Sequence, residues 1–305
     1  MQRRDFIKTS ILGTGILMGS NIMNANPAKT KKYNLTFEYQ INFASASDTK
    51  IWIPMPMTTS FQKPSNVKIQ GNYDFYKTYT QSQTPIIYAQ YSKKPKRILA
   101  SVDILIVQDN SKEKSNHLEN YLKPTRYIRT DGMIEQIAKE LSLGNEQEKL
   151  VNIYKWIKKN IDYENAKDTS KIRTILSKNS TPILSGENIS ANTIFVSLCR
   201  ACGIPAREAI GINIKTLTTL SKAQAYINDS GWNLYDPIAS IKDSSFDGFG
   251  KWKDDFIFLN YERDMKIESS IVSLFDNAFA TVDGDKLKYY ENKNFTKNIN
   301  IKTLI

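Results

Sequence analysis

The chain of 305 residues holds two cysteines and one histidine, so nucleophilic, redox and metal chemistry have few side chains to draw on. Cys199 and Cys202 are spaced Cys-x-x-Cys, a pattern that in other settings serves disulfide exchange or metal binding. Their placement speaks against both roles. Cys202 directly precedes Gly203, a predicted helix C-cap, where the macrodipole is negative and a thiolate is disfavoured. Low-pKa redox cysteines occupy the opposite end of a helix. A zinc site needs further ligands, and there is no third Cys, while His117 lies far off in a polar stretch. Set among Val196, Leu198 and Ile204, the two thiols read as small apolar core residues. No metal and no cofactor is expected.

The most specific pattern lies over residues 186–211. Arg200-Ala201-Cys202-Gly203-Ile204-Pro205-Ala206-Arg207, with the helix before it, resembles the nucleophile helix of the transglutaminase-like superfamily. In that family the helix opens with Gly-x-Cys, because unpaired N–H groups and the positive end of the dipole lower the thiol pKa. Counting back along the helix places Asn188 where the resemblance calls for the thiol. An amide cannot ionise, and Asn is a strong N-cap, so Asn188 is expected to cap the helix.

The family's His stands on a strand downstream, where this chain has none. The segment Ser221-Lys222-Ala223-Gln224 resembles the approach to it and places Ala225 at the position, while an ungapped count gives Lys222. Gly231-Trp232-Asn233-Leu234-Tyr235-Asp236-Pro237 resembles the strand end whose Asp orients that His, so Asp236 is the retained member. No catalytic set is intact: Asn188, Ala225 (or Lys222) and Asp236 mark relic triad positions, expected to face one cleft. Ser185 and Ser190 flank the empty position, with Lys222 as a conceivable base, but no spacing motif supports them.

Stepping from these residues to the elements that hold them, the first hundred residues read as strands. Tyr33, Leu35, Phe37, Tyr39, Ile41 and Phe43 alternate with polar residues, and further runs follow at 50–53, 67–70, 73–79, 86–91 and 101–107. Short strands at this spacing predict a β-sandwich over residues 31–108. Trp52-Ile53-Pro54-Met55-Pro56 resembles a strand of domains fused to transglutaminase-like cores, with both prolines at an edge or strand end.

A polar linker at 109–130 gives way to helices opened by Asp131-Gly132 and capped by Asn145. A loop through 176–186 is expected to lead into the nucleophile helix. Strands follow at 208–214 and 232–235. The resemblance therefore implies an α+β fold: an N-terminal β-sandwich, then a transglutaminase-like (papain-like cysteine protease) α+β core over 131–268, with a C-terminal extension at 269–305.

At the N-terminus, Gln2-Arg3-Arg4-Asp5-Phe6-Ile7-Lys8 and the apolar run 11–22 resemble a twin-arginine signal peptide spanning residues 1–28. That implies the export machinery as a partner and a periplasmic destination, with retention as an N-terminal anchor an open alternative. The formal charge of +11 is spread along the chain. Spread lysines form a solvated surface and can favour anionic polymers. Nucleic acid is not an expected partner, since no basic motif with reading geometry occurs.

The function expected is a non-catalytic relic that binds a peptide, a cell-wall polymer or another periplasmic protein. The alternatives are an amide hydrolase or acyl transferase with an unrecognised nucleophile and, weaker, a Cys-x-x-Cys redox or metal protein.

Overall fold

The computed structural model describes residues 30–42, 48–79, 84–92, 96–107, 117–169, 172–253, 255–287 and 293–304, without the side chains of 163–169. The signal peptide expected over residues 1–28 lies outside them, as does the 109–116 part of the linker. Among the described residues no helix is long and apolar enough to cross a membrane.

Six strands open the chain: β1 (Lys31–Ile41), β2 (Thr49–Pro54), β3 (Gln62–Gly71), β4 (Phe75–Tyr79), β5 (Ile86–Tyr91) and β6 (Lys96–Ile106). The alternation read in β1 is the alternation observed, with Tyr33, Leu35, Phe37, Tyr39 and Ile41 buried. Pro54 ends β2, where its missing N–H interrupts no ladder.

The core begins with α1 (Met133–Leu141) and α2 (Glu146–Asn160), the latter opened by a capping box between Asn145 and Glu148. Next comes a three-stranded sheet of β7 (Ile161–Thr169), β8 (Ile172–Ser177) and β9 (Pro182–Gly186). The loop expected over 176–186 is thus largely strand: Ile183 and Leu184 are buried, and only the polar 178–181 turn joins β8 to β9. Helix α3 (Ala191–Ala201) is buried along almost its whole length.

Helix α3 packs on β10 (Ala206–Asn213) and β11 (Thr219–Ile227), members with β12 (Gly231–Tyr235) and β13 (Phe256–Asn260) of an antiparallel sheet ordered β12-β11-β10-β13. The short α4 (Pro237–Lys242) sits between β12 and β13. A hairpin of β14 (Arg263–Ile267) and β15 (Ser270–Leu274) follows.

The segment expected as an extension at 269–305 is built into the sandwich. Strands β16 (Phe279–Val282), β17 (Asp285–Leu287) and β18 (Phe295–Thr303) return to it, giving sheets ordered β18-β1-β6-β3 and β17-β16-β2-β5-β4. Strand β18 runs antiparallel to β1 from Ile41↔Phe295 to Tyr33↔Thr303. The polar and basic character of 286–302 hid this, because one face of β18 is solvated and only Phe295 is fully enclosed. Ile212, Ile257 and Leu259 from the core sheet enter the sandwich core, while the helices pack in a separate cluster with other residues of the sheet.

That seam depends on Gly211, which sits at a register shift between β10 and β13. A Cβ there would strike the Ile257 carbonyl oxygen and the Phe256 ring, and backbone cannot move aside as a flexible side chain can. Gly211→Ala is expected to destabilise the protein by roughly 1–3 kcal/mol, the usual cost of overpacking. Urea unfolding should show a lower midpoint at unchanged slope, and an unaltered midpoint would contradict the tight seam.

Candidate functional site

The start of α3 is organised differently from the sequence expectation. Ser190 is the N-cap: its side chain accepts from Asn192 N at 3.2 Å, and Thr193 Oγ1 accepts from Ser190 N at 2.9 Å. Asn188 lies two residues earlier, in the turn after β9, with φ at 52°. The cap role expected of Asn188 is therefore Ser190's. What suits Asn to its own position is tolerance of left-handed backbone, which other non-glycine residues adopt at a cost.

The turn is held by charge and by backbone carbonyls. Arg263 Nη1 donates to the Asn188 carbonyl at 3.1 Å and Nη2 to that of Glu187 at 3.4 Å. Arg263 Nε is 3.1 Å from Glu208 Oε2, with both side chains almost wholly enclosed, a contact of charges rather than an aligned hydrogen bond. The other Glu208 oxygen accepts from Thr193 Oγ1 at 2.9 Å and Ser221 Oγ at 3.1 Å. Sequence reading did not single out Glu208 or Arg263 as site residues. The available signal was a carboxylate in a strand whose every residue is buried, which demands a partner.

Of the two residues aligned with the missing His, Lys222 is the one beside Asp236. Its ammonium donates to Asp236 Oδ2, and both are buried. The same oxygen accepts from Lys253 N at 3.3 Å, while Oδ1 caps α4 through Ala239 N at 3.2 Å. Ala225 sits opposite Ala206 and Asn233 in the sheet and joins the hydrophobic core shared with α3.

Strand alternation then separates what sequence reading grouped. Glu208, Ala223 and Tyr235 are in register, and Thr193 of α3 reaches Glu208, so this face of the sheet looks at the helix. Lys222, one residue out of phase, belongs to the other face with Gln224 and its partner Arg207, and Asp236, just past the end of β12, pairs with it. Trp252 closes over that side, donating its indole N–H to the carbonyls of Tyr235 at 3.1 Å and Ala223 at 3.2 Å. Asn188 and Asp236, expected to face one cleft, share no hydrogen-bond partner, and Asp236 is not among the residues lining the cavity at Asn188.

Asn188 instead lines a cavity of about 280 Å³ with Thr219, Ser273, Asp276, Asn277 and Lys286. Its amide donates to Ser273 Oγ at 2.9 Å. Asp276 accepts from Thr219 Oγ1 at 2.7 Å, and burial pushes its carboxyl above the usual range. Behind it the Lys297 ammonium donates to Asn277 Oδ1, and burial pulls its pKa down to about 8 against the pull of Asp276. The cavity thus offers amide, hydroxyl and carboxyl groups but no thiol or imidazole.

The cysteines are elsewhere. Cys199 is fully enclosed and its thiol is raised well above the ordinary value by burial. Cys202, at the helix end, is raised by burial as well and donates to the Ala138 carbonyl at 3.6 Å. Among the described residues no group of three His, Cys, Asp or Glu is arranged to hold a metal.

A helix buried against an antiparallel sheet, with helices preceding it and strands following, defines the α+β class of papain-like cores. Residues 135–237 match the sequence profile of the Transglutaminase-like superfamily. The chain therefore carries a transglutaminase-like superfamily domain, with β-sandwich strands before and after it. A Haemophilus influenzae protein of uncharacterised function is 25% identical, over 90% of this chain and 92% of its own. Among solved structures, a candidate cysteine protease from Cytophaga hutchinsonii has the same fold, with a TM-score of 0.57 and 16% identity over 91% of this chain and 92% of that one.

Lys222→Met leaves the Asp236 carboxylate buried without its cation and is expected to cost roughly 3–5 kcal/mol, as broken buried pairs do. Asn188→Ala loses one hydrogen bond and places a Cβ residue without Asn's tolerance at positive φ, for about 1–2 kcal/mol. Thermal unfolding of the two variants should rank them in that order. A milder effect for Lys222→Met would mean that the pair is dispensable.

Proposed function

We propose that this is an exported, non-catalytic member of its superfamily, a pseudoenzyme whose cavity at the start of α3 binds a peptide, a cell-wall polymer or another periplasmic protein. One observation carries the reading: the position preceding the helix holds Asn188, an amide already bonded to Ser273, while both thiols are buried in the core. A residue that cannot ionise cannot attack a carbonyl, and removing nucleophile and base together costs orders of magnitude in rate. Lys222 beside Asp236 replaces a titrating imidazole with a fixed buried ion pair, which favours structure over proton transfer. The hydroxyls, amides and carboxyl around the cavity suit a ligand recognised by hydrogen bonds.

The rival reading, an amide hydrolase with an unrecognised nucleophile, has Ser190 with Lys222 as its best candidate. The Ser190 hydroxyl is engaged in the helix cap and Lys222 lies on the sheet's other face, so the two do not assemble.

Three experiments test the proposal. The protein should turn over no peptide amide, and Asn188→Cys alone should not create efficient acyl transfer, since no His stands by to pair with the thiolate or protonate the leaving amine. Iodoacetamide should label native Cys199 and Cys202 far more slowly than the unfolded chain. Enzyme-like turnover by the wild type, abolished in Asn188→Ala, would refute the reading. For export, exchanging Arg3 and Arg4 for lysine should leave the precursor in the cytoplasm, as judged by fractionation, and an unchanged periplasmic yield would defeat the assignment.

A further inference from the structure

A second cavity, of about 310 Å³, lies away from Asn188 and is lined by His117, Tyr121, Thr125, Arg200, Glu262 and Arg263 among others. Its walls carry an unusual charge arrangement. Arg200 and Arg263 are both more than nine-tenths buried. Arg263 has a carboxylate, Glu208, in contact at 3.1 Å. Arg200 has none: Nε donates to the Ala206 carbonyl at 2.9 Å and Nη1 to that of Lys123 at 2.6 Å. Its Nη2 group has no partner among the described residues.

A buried charge is normally paired, because leaving it unpaired costs several kcal/mol. Carbonyl dipoles offset part of that cost, yet burial pulls the Arg200 pKa down to about 10 against the pull of Glu208, which is not in contact with it. Glu262 is not paired with Arg200 among the described residues. It lines the same cavity, makes no ion pair among the described residues, and has its carboxyl pushed upward by burial. His117, just before the 3-10 turn Leu118–Tyr121, lines the cavity with its side chain 72% exposed.

We propose that this cavity is a binding site for a compact oxoanionic group, a carboxylate or a phosphate, with Arg200 as its principal ligand and Arg263 as the second cation. A planar guanidinium presents parallel N–H donors that match either anion and that a spherical halide does not fill. Tyr121 and Tyr261 also line the cavity, and the Arg207 guanidinium stacked on the Tyr261 ring at 3.5 Å adds positive charge nearby. The site is separate from the Asn188 cavity, although Arg263 bonds the carbonyls of Glu187 and Asn188, and the proposal stands whether or not that cavity binds a ligand.

Calorimetric titration of the protein with inorganic phosphate and with acetate, at ionic strength held constant with chloride, tests this. Saturable binding of at least one anion is expected. Phosphate alone would assign phosphorylated ligands, and acetate alone would assign carboxylates. Arg200→Gln should weaken binding about tenfold or more, and Arg200→Lys should restore only part, because an ammonium keeps the charge but lacks the fork. Glu262→Gln, which removes the opposing carboxyl, should tighten binding severalfold and decides the matter if Arg200→Gln does not fold. No saturation by either anion, or no change in affinity in Glu262→Gln and in folded Arg200→Gln, would overturn the site.

Discussion

The carboxylate of Glu208 is the point at which the core is tied together. It lies in β10, takes hydrogen bonds from Thr193 at the first turn of α3 and from Ser221 in β11, and faces Arg263 at the start of the β14–β15 hairpin. Arg263 in turn grips the carbonyls of the turn that carries Asn188. One buried charge therefore fixes helix, sheet, hairpin and candidate site in a single arrangement. Such a pair adds little net stability over an apolar substitute, but it is costly to break by halves, and it admits one geometry where apolar packing admits several.

In this setting the polar groups around the start of α3 are already engaged with one another. The helix cap that a reactive side chain could exploit is satisfied by Ser190 and Thr193, and Asn188 is bonded to the hairpin through Ser273. Asp236 serves three structural tasks: holding Lys222, capping α4 and accepting from the backbone of Lys253. Groups this fully engaged are poor acids, bases or nucleophiles but good struts. The two cavities proposed for recognition are the polar one beside Asn188 and the one lined by Arg200 and Arg263.

The two halves of the protein are also less separable than their order along the chain suggests. Strand β18 closes one sandwich sheet against β1, β16 and β17 close the other beyond β2, and the intervening core contributes Ile212, Ile257 and Leu259 to the sandwich interior. The sandwich cannot complete its pairing until the C-terminal strands are available. Contacts of such long sequence separation carry a high closure entropy before they are rewarded, which makes cooperative completion of the whole chain the physical expectation.

What the sequence alone determined was local. The alternation of β1, the capping box at Asn145, the buried face of α3 and the absence of an imidazole after residue 117 are all legible within a few residues, because propensity, periodicity and residue chemistry are short-range. The α+β class and the transglutaminase-like core followed from the Arg200 to Arg207 close of one helix. Tertiary structure decided which of Lys222 and Ala225 meets Asp236, on which face of the sheet each of the two lies, and where β16, β17 and β18 belong. Each of these hinges on strand register, and a shift of one residue moves a side chain from the helix-facing side to the other. Register is set by pairing between segments up to the full length of the chain apart, as Tyr33 with Thr303, and no local pattern specifies it.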